Sequence, residues 1–320
     1  MIEPFDLASF AGSRHDPHAQ ARAARAQPLL LHSVALFREI FAVLFEHRAI
    51  RTVVEVGVES GAVSRVYAEL GAQTVHCVEP APSDALRQAM SPPLRLVEGY
   101  SPGVLAELPI ADLYVIDGDH NYAVVAAETQ WLLRHAPDAV VVYHDLLWPC
   151  ARRDEYYQPS VLAPEDRHPD SADGPTVWHD ALTPAGFVGR DAYRVAEHAG
   201  GERNGVLTAV EDAIAEDGDA KLRLAVIPAV FGLGVLLRAR SQADARLLEA
   251  LGPWTSSGLL AALENNRIAL YTRVLELQYE AVRNADNHDR LAEQIAAQRH
   301  EIDRLHALLA EATAVPAGRP

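Results

Sequence analysis

The chain of 320 residues has almost no lysine, Lys221 alone among 28 basic residues, and no basic run longer than Arg152-Arg153, against 44 acidic residues and a formal net charge of -16. Such a surface lacks the electrostatic footprint that a phosphate backbone or an anionic membrane requires, which excludes polymeric nucleic acid and lipid surfaces as expected partners. Cysteine is scarce as well. Only Cys77 and Cys150 occur, too few for a disulfide framework or a cysteine-built zinc site. No apolar run reaches transmembrane length, and the opening MIEPFDLASF has neither the basic nor the long apolar region of a secretory signal. Together these absences predict a cytoplasmic protein.

What is present is a chain that is 49% hydrophobic, enough for a sizeable core. From Thr52 onward, short apolar runs alternate with helical patterns. Strands are expected at 52–56, 74–78, 94–98, 113–117 and 139–143, with helices at 63–70, 83–90 and 124–135. That alternation requires parallel strands joined by right-handed crossovers, an α/β sheet with helices on both faces. Helical spacing from Leu29 to His47 predicts a lead-in helix, and residues 1–27 read as a flexible arm. In an open parallel sheet, ligands bind beyond the carboxyl ends of the strands. Glu55, Glu79, Asp117 and His144 all fall at those ends.

Residues 52–61 read TVVEVGVESG, an apolar run carrying Glu55 and breaking into glycines, and Glu79 closes the next run, TVHCVEP. A strand, a glycine turn and a carboxylate ending the neighbouring strand are the parts that bind the ribose of a nucleotide-like cofactor. In this turn Gly57 is followed by Val58, Glu59, Ser60 and only then Gly61. The middle glycine that lets backbone approach a pyrophosphate is missing, and an anionic Glu59 would repel one. A cofactor without phosphates fits better. The glycines alone could mark any tight turn, and Glu79 alone could be a helix-start carboxylate.

Asp117, Gly118, Asp119 and His120 follow the fourth apolar run, and His144 and Asp145 follow the fifth. Three ionisable groups at the end of a buried strand are costly unless they serve chemistry or pair with one another. His120 is the candidate general base, because an imidazole titrates near neutral pH; a capping or pairing role is the alternative. Asp117, His144 and Asp145 could instead hold a divalent metal such as Mg²⁺.

The pattern E-x-G-x-x-x-G with a downstream acidic residue resembles motif I and the acidic loop of class I methyltransferases dependent on S-adenosylmethionine (SAM). DLYVIDGDHNY and VVVYHD resemble the subfamily with a D-G-D/S-H-x-Y motif, which includes small-molecule and sugar O-methyltransferases. The likeness covers roughly residues 51–145. It implies a Rossmann-like methyltransferase sheet ending in an antiparallel hairpin, expected here at 222–227 and 233–237, within a domain spanning 28–240. It also implies SAM as cofactor, with Glu55, Gly57, Glu59, Ser60 and Gly61 framing the methionine end and Glu79 taking the ribose hydroxyls. Ser101, Asp117 and Gly118 complete the implied cofactor set, and Asp117 and His120 are the implied catalytic pair. Metal-dependent relatives often carry two acidic residues where this chain has His144-Asp145, which leaves a softer ion, or none, open.

Residues 146–220 break the rhythm, with many prolines and no clear elements, and read as a substrate lid. Arg152, Arg153, Tyr156 and Tyr157 are its acceptor-pocket candidates; His168, Trp178, His179, Arg203 and Asn204 are weaker ones. Residues 241–313 read as a helical region and 314–320 as a disordered tail. Val274, Leu277, Ala281, Asn284, His288, Leu291, Ile295, Gln298, Ile302, Leu305 and Leu309 fall on alternating steps of three and four, the a/d spacing of a coiled coil. A homo-oligomer joined through this helix is the expected assembly. The overall expectation is an O-methyltransferase of a small hydroxylated acceptor. A non-catalytic scaffold of the same fold and an NAD-dependent oxidoreductase are the rivals.

Overall fold

The computed structural model describes residues 15–26, 30 and 32–313. The expectations for residues 1–14 of the arm and for the tail 314–320 lie outside the described residues. Within the arm, Ala19–Ala26 (α1) is a helix with no buried residue.

Seven strands form the central sheet: β1 (Thr52–Val56), β2 (Thr74–Val78), β3 (Leu94–Val97), β4 (Leu113–Ile116), β5 (Val140–Tyr143), β9 (Leu222–Ile227) and β10 (Leu233–Arg238). Their order is β3-β2-β1-β4-β5-β10-β9. The first five are parallel, and β10 joins β5 antiparallel. Branched aliphatics dominate these runs because each strand is covered on both faces, which removes the polar alternation of a half-exposed strand. The order reverses between β1 and β4, so the two chains leaving their carboxyl ends diverge and open a crevice.

Helices α2 (Arg38–His47), α3 (Ala62–Glu69), α4 (Asp84–Ala89) and α7 (Gln242–Thr255) cover one face, burying Phe41, Leu44, Tyr67, Leu86 and Leu247 against Val53, Val75 and Val115. Helices α5 (Tyr122–His135) and α6 (Val206–Asp217) cover the other, burying Leu132, Ala209 and Val210 against Val54, Tyr114 and Val141. The lead-in helix is shorter than its apolar spacing suggested. A 3₁₀ turn at Val34–Phe37, capped by the Ser33 hydroxyl, precedes α2.

The stretch 146–220 is more ordered than its prolines indicated. It contains α6, which packs beside α5 as part of the sheet's cover, and a small antiparallel sheet of β6 (Glu155–Tyr157), β8 (Tyr193–Ala196) and β7 (Asp170–Ser171). These strands are two to four residues long, below what alternation in a sequence can reveal. The helical region from 241 divides at Ser256-Ser257, where the Ser257 hydroxyl accepts from the Leu260 amide and starts α8 (Gly258–Thr313). Among the described residues no helix is long and apolar enough to cross a membrane.

Candidate active site

The turn leaving β1 is built on left-handed backbone at Gly57 (φ 82°), Glu59 (φ 49°) and Gly61 (φ 72°). Gly57 is required by proximity as well as by φ: a Cβ there would lie 2.1 Å from the Asp117 carbonyl oxygen. The β1 and β4 turns therefore touch through bare backbone, with Gly118 Cα 2.6 Å from that same Cβ position. Glu79, at the end of β2, reaches into the same turn. Its Oε2 accepts from the amides of Val58 (3.3 Å) and Glu59 (3.5 Å), and its Oε1 from Ala81 (3.1 Å). The carboxylate thus borders the crevice between β1 and β2, where ribose hydroxyls could donate to it. The Ser60 hydroxyl accepts from the Ala62 amide at 3.4 Å, just before α3.

Glu55 is placed differently. It points under α3, buried, accepting from the Ser64 hydroxyl and from Tyr67 Oη at 3.4 Å. Burial pushes its carboxyl up to about 8, the Ser64 bond only partly offsetting this. It braces the turn from behind instead of lining the crevice. The Ser101 hydroxyl, beyond β3, is buried and has no hydrogen-bond partner.

Beyond β4 and β5, four ionisable groups converge. His144 Nδ1 lies 2.9 Å from both Asp117 Oδ1 and Asp145 Oδ2, and its Nε2 lies 2.8 Å from the Val230 carbonyl oxygen. That carbonyl can only accept, so Nε2 carries a proton, and two carboxylates at Nδ1 favour a second. Burial opposes the charge, yet Asp145 and then Asp117 outweigh it and lift His144 to about 10. His144 thus braces the two carboxylates, its Nε2 held by the Val230 carbonyl and its Nδ1 set between Asp117 and Asp145. Burial would likewise raise Asp117, but His144 and His120 hold it down at about 2.

His120 Nε2 lies 3.3 Å from Asp145 Oδ2 and 3.7 Å from Asp117 Oδ1, without a hydrogen-bond partner of its own. Its Nδ1 lies 3.6 Å from Glu155 Oε1. Burial disfavours the charged ring, but the carboxylates, Asp145 foremost, raise His120 well above the ordinary imidazole range. The donor atoms of Asp117, His120 and Asp145 lie within 4.8 Å of one another, and two carboxylates with one imidazole suit a divalent cation. Among the described residues, Asp117, His120 and Asp145 therefore form one set able to hold a metal, with His120 in the place expected of His144, and His120, Cys150 and Glu155 form a second.

Of the acceptor-pocket candidates, Tyr157 faces the site, its ring centre 5.9 Å from that of His120. The other three are committed elsewhere, and the structure does not bring them to that point. Arg152 makes a two-pronged pair with Glu211 of α6. Arg153 is buried, donating to the carbonyls of Ala196 and Glu197. Tyr156 is buried, donating to Asp154 at 2.8 Å and covered by Arg167. Asn204 holds the Asp154 amide and two loop carbonyls, and His168 meets the Arg203 carbonyl. Trp178 and His179 are exposed.

Sequence reasoning missed Glu155, which β6 delivers to His120 through a Glu155 amide to His120 carbonyl bond of 3.0 Å. It also missed the aromatic wall beside Val230: Phe231, Phe187, Tyr271 and Trp148 pack ring to ring at 5.8 to 6.3 Å. These residues come from four separate segments, so no local pattern joins them. A cavity of about 420 Å³ bounded by Arg48, Ile110, Asp112 and Asp138 lies at the opposite end of the strands and has no part in this site.

The strand order, with its antiparallel β10, and the glycine turn facing an acidic β2 end define a methyltransferase-type sheet. Residues 54–146 match the family model described as a methyltransferase domain. No curated protein matches the sequence. Solved structures similar to the chain include the O-methyltransferase from Bacillus cereus in complex with SAH (11% identity, 74% of this chain and 93% of that one, TM-score 0.42). The O-methyltransferase TomG from Streptomyces achromogenes, involved in tomaymycin synthesis and in complex with SAM, is 13% identical over 74% of this chain and 92% of that one (TM-score 0.40). SAH-bound PaMTH1 from Podospora anserina is 13% identical over 74% and 98% (TM-score 0.39).

Proposed function

We propose that the protein is a cytoplasmic, SAM-dependent O-methyltransferase of a small hydroxylated acceptor, such as a sugar or a natural-product intermediate. The observation that carries this reading is His120: an imidazole nitrogen without a hydrogen-bond partner, set among Asp117, Asp145 and Glu155 beside the cofactor crevice. Glu79 holds the ribose hydroxyls, the Gly57–Gly61 turn admits the methionine end, and Ser101 offers a hydroxyl to the adenosine. The acceptor oxygen attacks the methyl carbon in line with the sulfonium. The carbon–sulfur bond breaks with its electrons staying on sulfur, SAH leaves, and the hydroxyl proton passes to His120 Nε2.

The surrounding carboxylates, Asp145 foremost, raise the proton affinity of His120 against its burial. A cationic sulfonium arriving beside the same carboxylates competes for their charge and lowers the proton affinity of the ring, which readies it as a base. A divalent cation held by Asp117, His120 and Asp145 would polarise the acceptor oxygen and lower its pKa. On Nε2 it would take the lone pair His120 needs, so the two roles are alternatives at one atom. The ordered insertion, with Tyr157 and Phe187, forms the acceptor wall and shields the site from water. Transfer of a labelled methyl group from SAM to a panel of small hydroxylated compounds, with His120→Ala as control, tests the reading. Transfer by the wild type alone supports it, and transfer by both proteins overturns the role of His120.

A further inference from the structure

The distal part of α8 is unaccounted for by the chemistry. Its first turns belong to the domain: Glu264 and Thr272 are buried, and Glu264 accepts from the Phe231 amide at 2.8 Å. From Glu280 to Thr313 every residue is exposed. At 1.5 Å per residue this is an arm of roughly 50 Å, and along it Leu291, Ile295 and Leu305 stand 48%, 49% and 51% exposed. We infer that this arm is one half of a parallel, in-register, two-stranded coiled coil with a second copy of the chain.

The number of strands follows from side-chain shape. Taking Val274 as position a, the a positions include β-branched Val274, Ile295 and Ile302, and the d positions include Leu277, Leu291 and Leu305. β-Branched residues at a with leucine at d favour two strands over three or four. The seam runs through five heptads, beyond the three to four that sustain such a pairing.

Direction follows from the polar layers. Asn284, His288 and Gln298 interrupt the seam. In a parallel pair each meets its own copy, polar against polar, and can bond to it. Two antiparallel registers overlap nearly all of the seam: in one Asn284 would face Ile295 of the other copy, His288 would face Leu291 and Gln298 would face Ala281, and in the other His288 would face Gln298 but Asn284 would still face Ile302. A polar group buried against an apolar one is left unsatisfied. Flanking charges agree. The first of those antiparallel registers sets Glu280 opposite Glu301 of the other copy twice, whereas the parallel pair sets Glu301 beside His306 and Gln294 beside Arg299.

The consequence is geometric: both catalytic domains lie at the same end of the coil, and the helix that joins the copies is continuous with the one carrying Tyr271 against the aromatic wall. Sedimentation equilibrium of the full chain at micromolar concentration should give a dimer, and Leu291→Glu with Ile295→Glu should give a monomer with an unchanged thermal transition. Both residues are exposed in the single chain, so the domain itself loses nothing. Leu305→Cys, against native cysteines that are buried, should oxidise to a covalent dimer in high yield, because position d meets itself across a parallel pair. A wild-type monomer, a trimer or tetramer, or a dimer in which Leu305→Cys does not cross-link would each overturn the inference.

Discussion

Gly57 and Asp117 meet backbone to backbone: a single methyl group on Gly57 would sit 2.1 Å from the Asp117 carbonyl oxygen. That contact ties the cofactor turn of β1 to the strand end bearing the ionisable cluster, so cofactor and base are placed by one piece of geometry. Gly57→Ala meets this overlap and an unfavourable φ of 82° together. It should cost about 2 to 4 kcal/mol of stability and weaken SAM binding, as read by thermal melts with and without SAM. An unchanged melt and unchanged affinity would show that the two turns are not locked together.

His120 should impose an ascending limb on the pH–rate profile. Burial lowers its proton affinity, but Asp145 and Asp117 outweigh it, so the base form grows as pH rises through a value above the ordinary imidazole 6.5. The profile of kcat/KM against pH should climb with a midpoint above 6.5, and Asp145→Asn should move the midpoint down by removing the first of those charges. A midpoint that Asp145→Asn leaves in place would separate His120 from the proton transfer.

Glu128, on α5, offers a stability test. It is fully buried, its oxygens make no hydrogen bond of standard geometry, and burial lifts it to about 8, the nearby Ser101 only partly offsetting this. A carboxyl raised from 4.5 binds its proton more tightly in the folded state. Its contribution is full below 4.5 and declines as pH rises toward 8. Glu128→Gln keeps the shape without the titration. The melting temperature of the variant should therefore gain on the wild type between pH 5 and pH 8, and a constant difference would contradict the assignment.

The sheet was legible because each strand is a short apolar run bounded by glycine, proline or charge, and β1, β2 and β4 lie within a residue of where the pattern set them. Glu79, Asp117 and His120 were legible because a strand end fixes where a side chain goes. What failed was direction and distance. Alternation along β1 turns Glu55 to the α3 face, which proximity to Gly57 in sequence conceals. Nothing near His144 in the sequence shows that the Val230 carbonyl, from the far hairpin, occupies its second nitrogen. Glu155 and Phe187 reach the site on strands and loops too short or irregular to leave a periodic trace. Arg152 and Arg153 looked available because their partners, Glu211 and the Ala196 carbonyl, lie more than forty residues away.

The central claim, that the crevice between β1, β2 and β4 binds an adenosyl sulfonium through Glu79, is tested most directly by calorimetric titration of SAM into wild type, Glu79→Ala and His120→Ala, with NAD as comparison. The account predicts SAM binding to wild type and to His120→Ala alike, a loss of about tenfold to a hundredfold in Glu79→Ala, and no heat from NAD. Equal SAM affinity in Glu79→Ala and wild type, or tighter binding of NAD than of SAM, would contradict it.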